Sequence, residues 1–434
     1  MNFNPSYRKV VQELESRTVM PERPPSLLPT KQGLARILHP SQFKPKTTLV
    51  VAGTNGKGSV CALLEALLLS AGKTVGLFTS PHLEETTERF RIGGVDVSQD
   101  AFCAAYAEVA QKTEDLGLSH FETLTLMAAW LFFSGQLFPP LEYTIFEVGL
   151  GGLWDSTNAI PHIPCIITAL GYDHQNLLGN TLVEIAANKF GIVQPQARVV
   201  HAPFPKETEA SHLALCQLAR QVQQKTHSHW REREPFELKV IPGENLPGIK
   251  REPQFTLRTA WGEAPLSLPG TRAAENASTA LTMFHELGFP PQDHLQALQN
   301  VRWPGRMEKV ADESPCSIYL SGDHNPPGIE SLIELLQYYP RRHLHVMLGL
   351  GKDKDLEGVL APLFRLPDTS ISLTETPFRG RRLTEYGPWL QQAKNNDPQP
   401  LALLRNIQSQ AKPEDLIVIT GSLYLVGFLR SQTI

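Results

Sequence analysis

The 434-residue sequence is poor in cysteine and has no marked excess of charge of either sign. Its five cysteines are an odd number and include no CxxC pair, so we expect neither a disulfide framework nor a cysteine-based zinc site. With 40 basic and 44 acidic residues, the formal net charge is −4, which gives no general attraction for nucleic acid or an anionic membrane. These features are typical of a reducing compartment, and we expect a cytoplasmic protein.

Long hydrophobic runs are also missing. An apolar stretch such as Leu124–Phe133 reaches only about half of the ~18 residues that a membrane-spanning helix needs. The N-terminal segment lacks the apolar region of a secretory signal. Because 41% of the residues are hydrophobic and 19% are charged, we expect a globular chain of two or three domains, with neither membrane nor nucleic acid as a partner.

The first pattern with a chemical implication is a glycine-rich loop between a strand and a helix. The apolar run Leu49–Ala52 predicts a buried strand, the loop GTNGKGS follows, and Val60–Leu69 is rich in helix-forming residues. A second strand predicted at Thr74–Phe78 completes a βαβ unit, which indicates a parallel sheet. The expected fold class is therefore α/β.

A loop of this kind can bind phosphate through its backbone N–H groups and the N-terminus of the following helix. Lys57 could reach the β- and γ-phosphates, and Ser59 a metal ion or a phosphate oxygen. The loop departs from the common G-x-x-x-x-G-K-[ST] pattern, because Val51 replaces the first glycine and Gly58 separates the lysine from the serine. The alternative is a glycine turn that only joins a strand to a helix.

Polar side chains also follow the other predicted strands. Ser80 lies in TSPHL after the second strand, Glu147 ends the strand Tyr143–Val148, and His174 follows the strand Cys165–Leu170. The carboxyl ends of parallel strands meet at one edge of a sheet, where α/β proteins bind ligands. Oxygen-rich ligand sets suit Mg²⁺, so we predict that Ser80, Glu147 and His174 are ligands of one magnesium ion. Taken alone, each of these residues more often has a structural role than a metal-binding one.

The α/β pattern restarts near the C-terminus. Strands are predicted at Ser317–Leu320, Leu344–Leu348 and Leu416–Thr420, with helices between them. We therefore expect two domains, residues 1–299 and residues 300–434. The segment 225–258 mixes charged residues, proline and glycine and is predicted to form irregular hairpins.

Further motifs follow in a fixed order over most of the chain. They are TSPHLEETTERFRI, EVGLGG followed by D-S-T-N, DHQNLLGNTLVEIA, N-A-x-x-A-L at Asn276–Leu281, W-P-G-R-x-E at Trp303–Glu308, HNP at His324–Pro326, DKD at Asp353–Asp355 and GSLYLVG at Gly421–Gly427. Together with GTNGKGS they resemble the folylpolyglutamate synthase/dihydrofolate synthase family of the Mur ligase superfamily. The resemblance implies an N-terminal P-loop ATP-binding domain of Mur-ligase type with a mostly parallel sheet, and a smaller C-terminal Rossmann-like α/β domain.

The resemblance also implies a role for each matching residue. The ATP-binding set is Gly53, Thr54, Asn55, Gly56, Lys57, Gly58 and Ser59, with Asn276, Arg306 and Ser321. The pterin end of the substrate is expected at Phe121, Glu122, Asp155, Ser156 and Thr157. Lys57, Lys189 and His324 match catalytic positions, and Lys189 is expected to be carbamylated so that its new oxygens serve a second magnesium ion.

The activity that the resemblance implies is an ATP-dependent ligation. L-Glutamate would be added to dihydropteroate, to (tetrahydro)folate or to both, through an acyl phosphate, with ATP as cosubstrate. The protein is expected to be a monomer. Two alternatives stay open, namely a Mur-type peptide ligase acting on another carboxylate acceptor and a non-catalytic ATP-binding homologue. Several positions depart from the family pattern: Leu153 replaces a basic residue, Asn188 a glutamate, and Ser321 an aspartate, and Arg272 and Ala273 replace a frequent H-Q pair.

Overall fold

The computed structural model describes residues 5–18, 24–246, 249–310, 314, 316–378 and 380–433. The chain forms two compact units. The first is drawn from Met1–Gly171, Leu178–Glu234 and Asn276–Ala297, and the second from Tyr172–Leu177, Pro235–Glu275 and Leu298–Ile434. The second unit thus includes two segments that precede residue 300, where the sequence predicts a domain boundary.

The helices follow the expected α/β alternation. They are α1 (Pro5–Ser16), α2 (Leu28–Ile37), α3 (Lys57–Ser70), α4 (Gln99–Thr113), α5 (His120–Phe133), α6 (Gln175–Leu178), α7 (Leu182–Phe190), α8 (Glu209–Thr226), α9 (Thr271–Glu286), α10 (Pro326–Leu336), α11 (Leu356–Phe364), α12 (Pro388–Gln392), α13 (Pro400–Gln410) and α14 (Leu423–Thr433).

The strands are short, as is usual for an α/β protein. They are β1 (Thr48–Ala52), β2 (Val75–Phe78), β3 (Phe90–Ile92), β4 (Val95–Asp96), β5 (Tyr143–Glu147), β6 (Cys165–Ile167), β7 (Arg198–His201), β8 (His229–Glu232), β9 (Glu237–Ile241), β10 (Glu244–Leu246), β11 (Ile249–Arg251), β12 (Gln254–Thr259), β13 (Gly262–Leu266), β14 (Arg306–Val310), β15 (Ser317–Ser321), β16 (Leu344–Leu348), β17 (Thr369–Leu373), β18 (Asn395–Asn396) and β19 (Leu416–Thr420).

The first unit is built on one mostly parallel sheet. Over the described ranges its strand order is β4-β3-β2-β5-β1-β6-β7-β8, and only β3 and β4 run antiparallel to their neighbours. Every residue of β1 is buried, since a parallel strand covered by helices on both faces has no solvent side. The carboxyl ends of β1, β2, β5 and β6 therefore lie along one edge, and the predicted α/β class is confirmed.

In the described part of the segment 225–258, predicted to form irregular hairpins, β10 and β11 do pair in antiparallel fashion, but the other strands join larger sheets. Strand β8 pairs in parallel with β7 and extends the large sheet, whereas β9 joins an antiparallel sheet with β12 and β13. The polar composition of β8 reflects its place at the sheet edge, where only one side of the strand is paired. Trp230 anchors it by packing edge-on against Phe190, with the ring centroids 5.1 Å apart.

The second unit contains its own α/β sheet. Within the described residues the strand order is β14-β15-β19-β16-β17-β18, with β14 antiparallel and the others parallel. Its core is formed by apolar side chains of the central strands and of α10 and α11, including Val346, Leu348, Ile329 and Leu360. In neither unit is any described helix long and apolar enough to cross a membrane.

A buried carboxyl group lies in the middle of α3, the helix that begins at the glycine-rich loop. Glu65 is 2% exposed, and its Oε2 atom is 3.2 Å from the Nη2 atom of Arg91. Among the described residues, no group donates a hydrogen bond to its Oε1 atom. Burial raises the pKa of Glu65 to about 7, although the Arg91 charge acts in the opposite direction.

The first prediction concerns this carboxyl group. Because its folded-state pKa lies above the unfolded value, the folded chain holds the proton more tightly, and this stabilisation is lost as the pH rises towards 7. Glu65→Gln should therefore raise the free energy of unfolding by about 2 kcal/mol at pH 8.5 and by much less at pH 5. Urea unfolding at both pH values measures the difference. Glu142→Gln, at an exposed carboxylate paired with Lys73, is the control and should give no such gain. An equal effect of Glu65→Gln at the two pH values would contradict the account.

Candidate active site

Two glycines fix the shape of the loop between β1 and α3. Gly53 has a φ of 152° and Gly56 a φ of 87°, a region that favours glycine. A Cβ atom would also overlap the side chain of Thr168 at the first position and that of Asn276 at the second. Asn276, one of the predicted ATP contacts, therefore lies against the loop within the first unit.

The loop is anchored to the end of β6 by its first residues. The backbone N–H groups of Thr54 and Asn55 both donate to the carbonyl oxygen of Ala169, at 2.9 and 3.3 Å. The Thr54 hydroxyl donates to the Gly171 carbonyl oxygen at 3.0 Å. These amides are thus engaged within the protein, which leaves phosphate binding to the amides further along the loop.

Helix α3 begins at Lys57, and its N-terminus carries a partial positive charge. Its N-cap residue is Gly56, and no described side chain caps the helix at this point. The unsatisfied N–H groups of a helix N-terminus, including those near Gly58 and Ser59, attract an anion. The Lys57 ammonium folds over the loop and donates to the carbonyl oxygens of Gly53 and Thr54, both at 3.3 Å. One loop therefore combines a helix N-terminus and a cation.

Lys189 reaches the same loop from a distant part of the sequence. It lies in the last turn of α7, is 4% exposed, and donates from Nζ to the carbonyl oxygen of Gly53 at 2.8 Å. The fold thus places the predicted carbamylation site and the glycine-rich loop side by side.

Two of the three predicted magnesium ligands are neighbours in the first unit. Glu147 is the buried last residue of β5, and its Oε2 atom accepts a hydrogen bond from the Ser80 backbone N–H at 3.0 Å. A hydroxyl group and a carboxylate are hard oxygen ligands of the kind that Mg²⁺ prefers, so these residues suit the ion. His174 belongs to the second unit, and its assignment to the same ion stays a prediction. Clusters of three or more His, Cys, Asp or Glu that could hold a metal are absent from the described ranges.

Asp155, a predicted substrate contact, holds together the loop that follows β5. Its Oδ2 atom accepts from the N–H groups of Gly149 and Leu150 at 3.1 and 3.0 Å. Its Oδ1 atom accepts from the N–H and the hydroxyl group of Thr157 at 3.0 and 2.5 Å. Burial raises the pKa of Asp155, and these hydrogen bonds oppose that shift. The structure thus gives Asp155 a structural function, and its contact with substrate stays a prediction.

The other predicted substrate residues surround this loop. Ser156 Oγ lies 2.6 Å from Thr125 Oγ1, and Glu122 closes a capping box with Ser119 at the start of α5. The half-buried ring of Phe121 lies beside Gly149, close enough that a Cβ atom there would be 2.7 Å from the ring. Phe121, Ser156 and Thr157 thus lie around the same loop, and their contact with substrate stays a prediction.

The predicted residues of the second unit form another group. The Ser321 hydroxyl donates to Asp323 Oδ2 at 2.6 Å, so a carboxylate lies next to the residue that replaces the aspartate of the family pattern. The His324 Nδ1 atom lies 2.8 Å from the Gly322 carbonyl oxygen. Arg306 lies against Gly322, where a Cβ atom would be 2.9 Å from its Nη1 atom.

Sequence reasoning did not identify Asp173 and Lys354. The Lys354 ammonium donates to Asp173 Oδ1 at 2.8 Å. Burial alone would raise the pKa of Asp173, but His324, Lys354 and His174 lower it well below its usual range. The available signal was their position inside two of the motifs, DHQNLLG and DKD.

A histidine–arginine pair near Ser80 was also missed. The buried Arg89 donates from Nε to His82 Nδ1 at 2.8 Å, so this nitrogen of the imidazole is an acceptor. Burial and the charge of Arg89 lower the pKa of His82 to about 3. His82 is therefore neutral at physiological pH.

Comparison with known proteins finds relatives over nearly the whole chain. Residues 305–423 match the family model of the Mur ligase glutamate ligase domain. The dihydrofolate synthase/folylpolyglutamate synthase of Bacillus subtilis is 31% identical over 431 residues, covering 94% of this chain and 95% of the relative. The chain belongs to the folylpolyglutamate synthase/dihydrofolate synthase family.

Solved structures of this family share the fold over nearly the whole chain. The structure of E. coli FolC in complex with DHPP and ADP is 26% identical, with a TM-score of 0.81 and coverage of 99% of this chain and 97% of that one. A bifunctional folylpolyglutamate synthase/dihydrofolate synthase with Mn, AMPPNP and L-glutamate bound is 27% identical, with a TM-score of 0.80 and coverage of 98% and 97%. The expected family and architecture are confirmed.

The second prediction tests the structural function of Asp155. Asp155→Asn should lower the free energy of unfolding by about 2–3 kcal/mol, because an amide nitrogen would face buried N–H donors that need an acceptor. The exposed Asp293→Asn is the matched control, and chemical unfolding followed by circular dichroism measures both variants. A wild-type unfolding midpoint in Asp155→Asn would show that the four hydrogen bonds do not stabilise the loop.

Proposed function

We propose that this protein is an ATP-dependent ligase that adds L-glutamate to dihydropteroate, to (tetrahydro)folate or to both. The observation that carries the proposal is the grouping at one sheet edge of the loop Gly53–Ser59, Lys189 and the pair Ser80–Glu147. This grouping offers positive charge for the phosphates of a nucleoside triphosphate and oxygen ligands for its metal ion. Family membership makes glutamate and a pteroate or folate the first substrates to test.

The chemistry follows from the difficulty of joining a carboxylate to an amine in water. An oxygen of the acceptor carboxylate attacks the γ-phosphorus of ATP, the bond to the bridging oxygen breaks, and ADP leaves. The glutamate nitrogen then attacks the carbonyl carbon of the acyl phosphate, loses a proton, and expels inorganic phosphate. Both steps concentrate negative charge at the transferred phosphoryl group, so fixed positive groups stabilise them.

The residues of the first unit divide this task. The amides at the start of α3 and the Lys57 ammonium bind and orient the phosphates, while Asn276 lies beside the loop for contact with the nucleotide. Ser80 and Glu147 would hold a magnesium ion, which when bound neutralises phosphate charge. We further propose that Lys189 reacts with carbon dioxide to form a carbamate, whose oxygens would serve a second magnesium ion.

Arg306, Ser321 and His324 belong to the second unit and are proposed to contribute the remaining contacts with nucleotide and the reacting groups. The Ser321–Asp323 hydrogen bond supports this proposal, because it holds the Asp323 carboxylate beside Ser321, which has no carboxylate of its own. We also propose a monomer in the cytoplasm, in keeping with the five free cysteines.

The third prediction tests the reaction. ADP formation should require both L-glutamate and an acceptor, with dihydropteroate, tetrahydrofolate and a muramyl acceptor compared side by side. Lys57→Ala should lower kcat by about 100-fold or more, because the phosphoryl group loses its nearest cation. Lys73→Ala is the control, since this half-buried lysine pairs only with Glu142 in the described structure. Turnover with the muramyl acceptor alone, or no turnover with any acceptor, would overturn the proposal.

The fourth prediction concerns Lys189. Lys189→Ala should abolish most of the activity, and a short carboxylate added in solution should restore part of it by supplying the missing oxygens. Lys189→Arg keeps the positive charge but cannot form the carbamate, and it should stay inactive with or without that additive. Mass spectrometry of the native protein should show the gain of one carbon dioxide. Full activity after bicarbonate depletion, with the carbamate shown to be absent, would contradict the carbamylation proposal.

A further inference from the structure

Asp173 joins three segments of the second unit that are far apart in sequence. Its side chain is only 13% exposed, and each of its oxygens faces more than one group. Oδ1 accepts from Lys354 Nζ at 2.8 Å and from the backbone N–H of His174 at 2.9 Å, and Oδ2 accepts from Asn325 Nδ2 at 3.2 Å. The Nε2 atom of His324 lies 3.7 Å from Oδ2. One carboxylate therefore links the loop after β6 with the HNP and DKD motifs.

The partners of Asp173 lie where two helices begin. Asn325 caps α10 by accepting from the Gly328 N–H at 3.0 Å. Lys354 immediately precedes Asp355, which caps α11 by accepting from the Gly358 N–H at 3.0 Å. The conformation of both helix starts is thus fixed by their own caps, and Asp173 connects the two.

Asp173 is the more deeply buried of the two acidic neighbours of Lys354. The lysine side chain is 12% exposed, and its second acidic neighbour, Asp353, is 46% exposed and lies 3.4 Å away. Removal of one partner from a buried ion pair leaves a charge that is poorly compensated, which is strongly destabilising for the local arrangement. Without the Asp173 charge, we expect the Lys354 ammonium to move towards solvent.

The same carboxylate also limits the orientation of His324. The imidazole lies between two acceptors, with Nδ1 2.8 Å from the Gly322 carbonyl oxygen and Nε2 3.7 Å from Asp173 Oδ2. Loss of the Asp173 charge removes the electrostatic attraction at the Nε2 end of the ring, while the contact of Nδ1 with Gly322 remains. A side chain that must meet a reacting group within a few tenths of an ångström loses rate when its orientation is released.

We propose that Asp173 is a positioning residue for the ligation reaction, which acts by holding Lys354 and His324 in fixed positions. This inference rests on the proposed function, because it assigns His324 to the reacting centre. It adds a residue that acts through others and that need not touch substrate.

The experiment compares Asp173→Asn with wild type in the glutamate-dependent assay. The variant should lose about 100-fold in kcat at a temperature where circular dichroism shows it fully folded, with KM values for ATP and glutamate changed less than threefold. Asp173→Glu should recover part of the rate. Glu357→Gln, an exposed carboxylate of α11 in the same unit, is the control for the loss of one charge. Wild-type kcat in Asp173→Asn, or a loss that only follows a lower unfolding midpoint, would overturn the inference.

A double-mutant cycle tests the route of the effect. If Asp173 acts by holding Lys354, Asp173→Asn combined with Lys354→Met should be no slower than the slower single variant, whereas independent residues would multiply their losses.

Nitrogen-15 spectra of the His324 ring give a readout that does not need activity, and Asp173→Asn should shift its resonances. If wild type is inactive with every acceptor, the proposed function fails, and unchanged His324 resonances would separately reject the positioning of that ring.

Discussion

The parallel pairing of β1 with β5 on one side and β6 on the other is the constraint on which the candidate active site depends. Val51 is paired with Glu147 in β5 and with Ile166 in β6, so three strands end at the same level of the sheet. The backbone hydrogen bonds of these ladders set the starting points of the phosphate loop, the Glu147 carboxylate and the segment that follows β6. A shift of the register by one residue would turn the Glu147 side chain to the other face of the sheet.

Local hydrogen bonds then hold the charged groups in place near these strand ends. Thr54 and Asn55 attach the loop to the carbonyl oxygen of Ala169 at the end of β6. Lys189 donates to the first residue of the loop, and Ser80 donates to Glu147. Positive and negative groups are thus placed side by side on rigid elements, which reduces the reorganisation that accompanies a phosphoryl transfer.

The sequence predicted those parts of the site that depend on local pattern. The strand, glycine loop and helix at Gly53–Ser59 could be recognised because their residue types and order have a direct physical meaning, and Glu147 could be placed at an edge by strand periodicity. The carboxylate next to Ser321 needed the structure, because only a side-chain hydrogen bond shows that Asp323 lies there. Asp173 was missed because its partners Asn325 and Lys354 are 152 and 181 residues away. Pairings over such distances come from tertiary packing, which no local pattern encodes.

The central claim is that this sheet edge transfers a phosphoryl group from ATP to a carboxylate, and isotope transfer tests it most directly. An acceptor labelled with ¹⁸O in its reacting carboxylate is incubated with ATP and L-glutamate, and the released phosphate is analysed by mass spectrometry. The account predicts one ¹⁸O atom in each phosphate formed, because the oxygen that attacks phosphorus leaves with it. Phosphate free of ¹⁸O at full product yield would contradict the account, since the acceptor carboxylate would not have been phosphorylated.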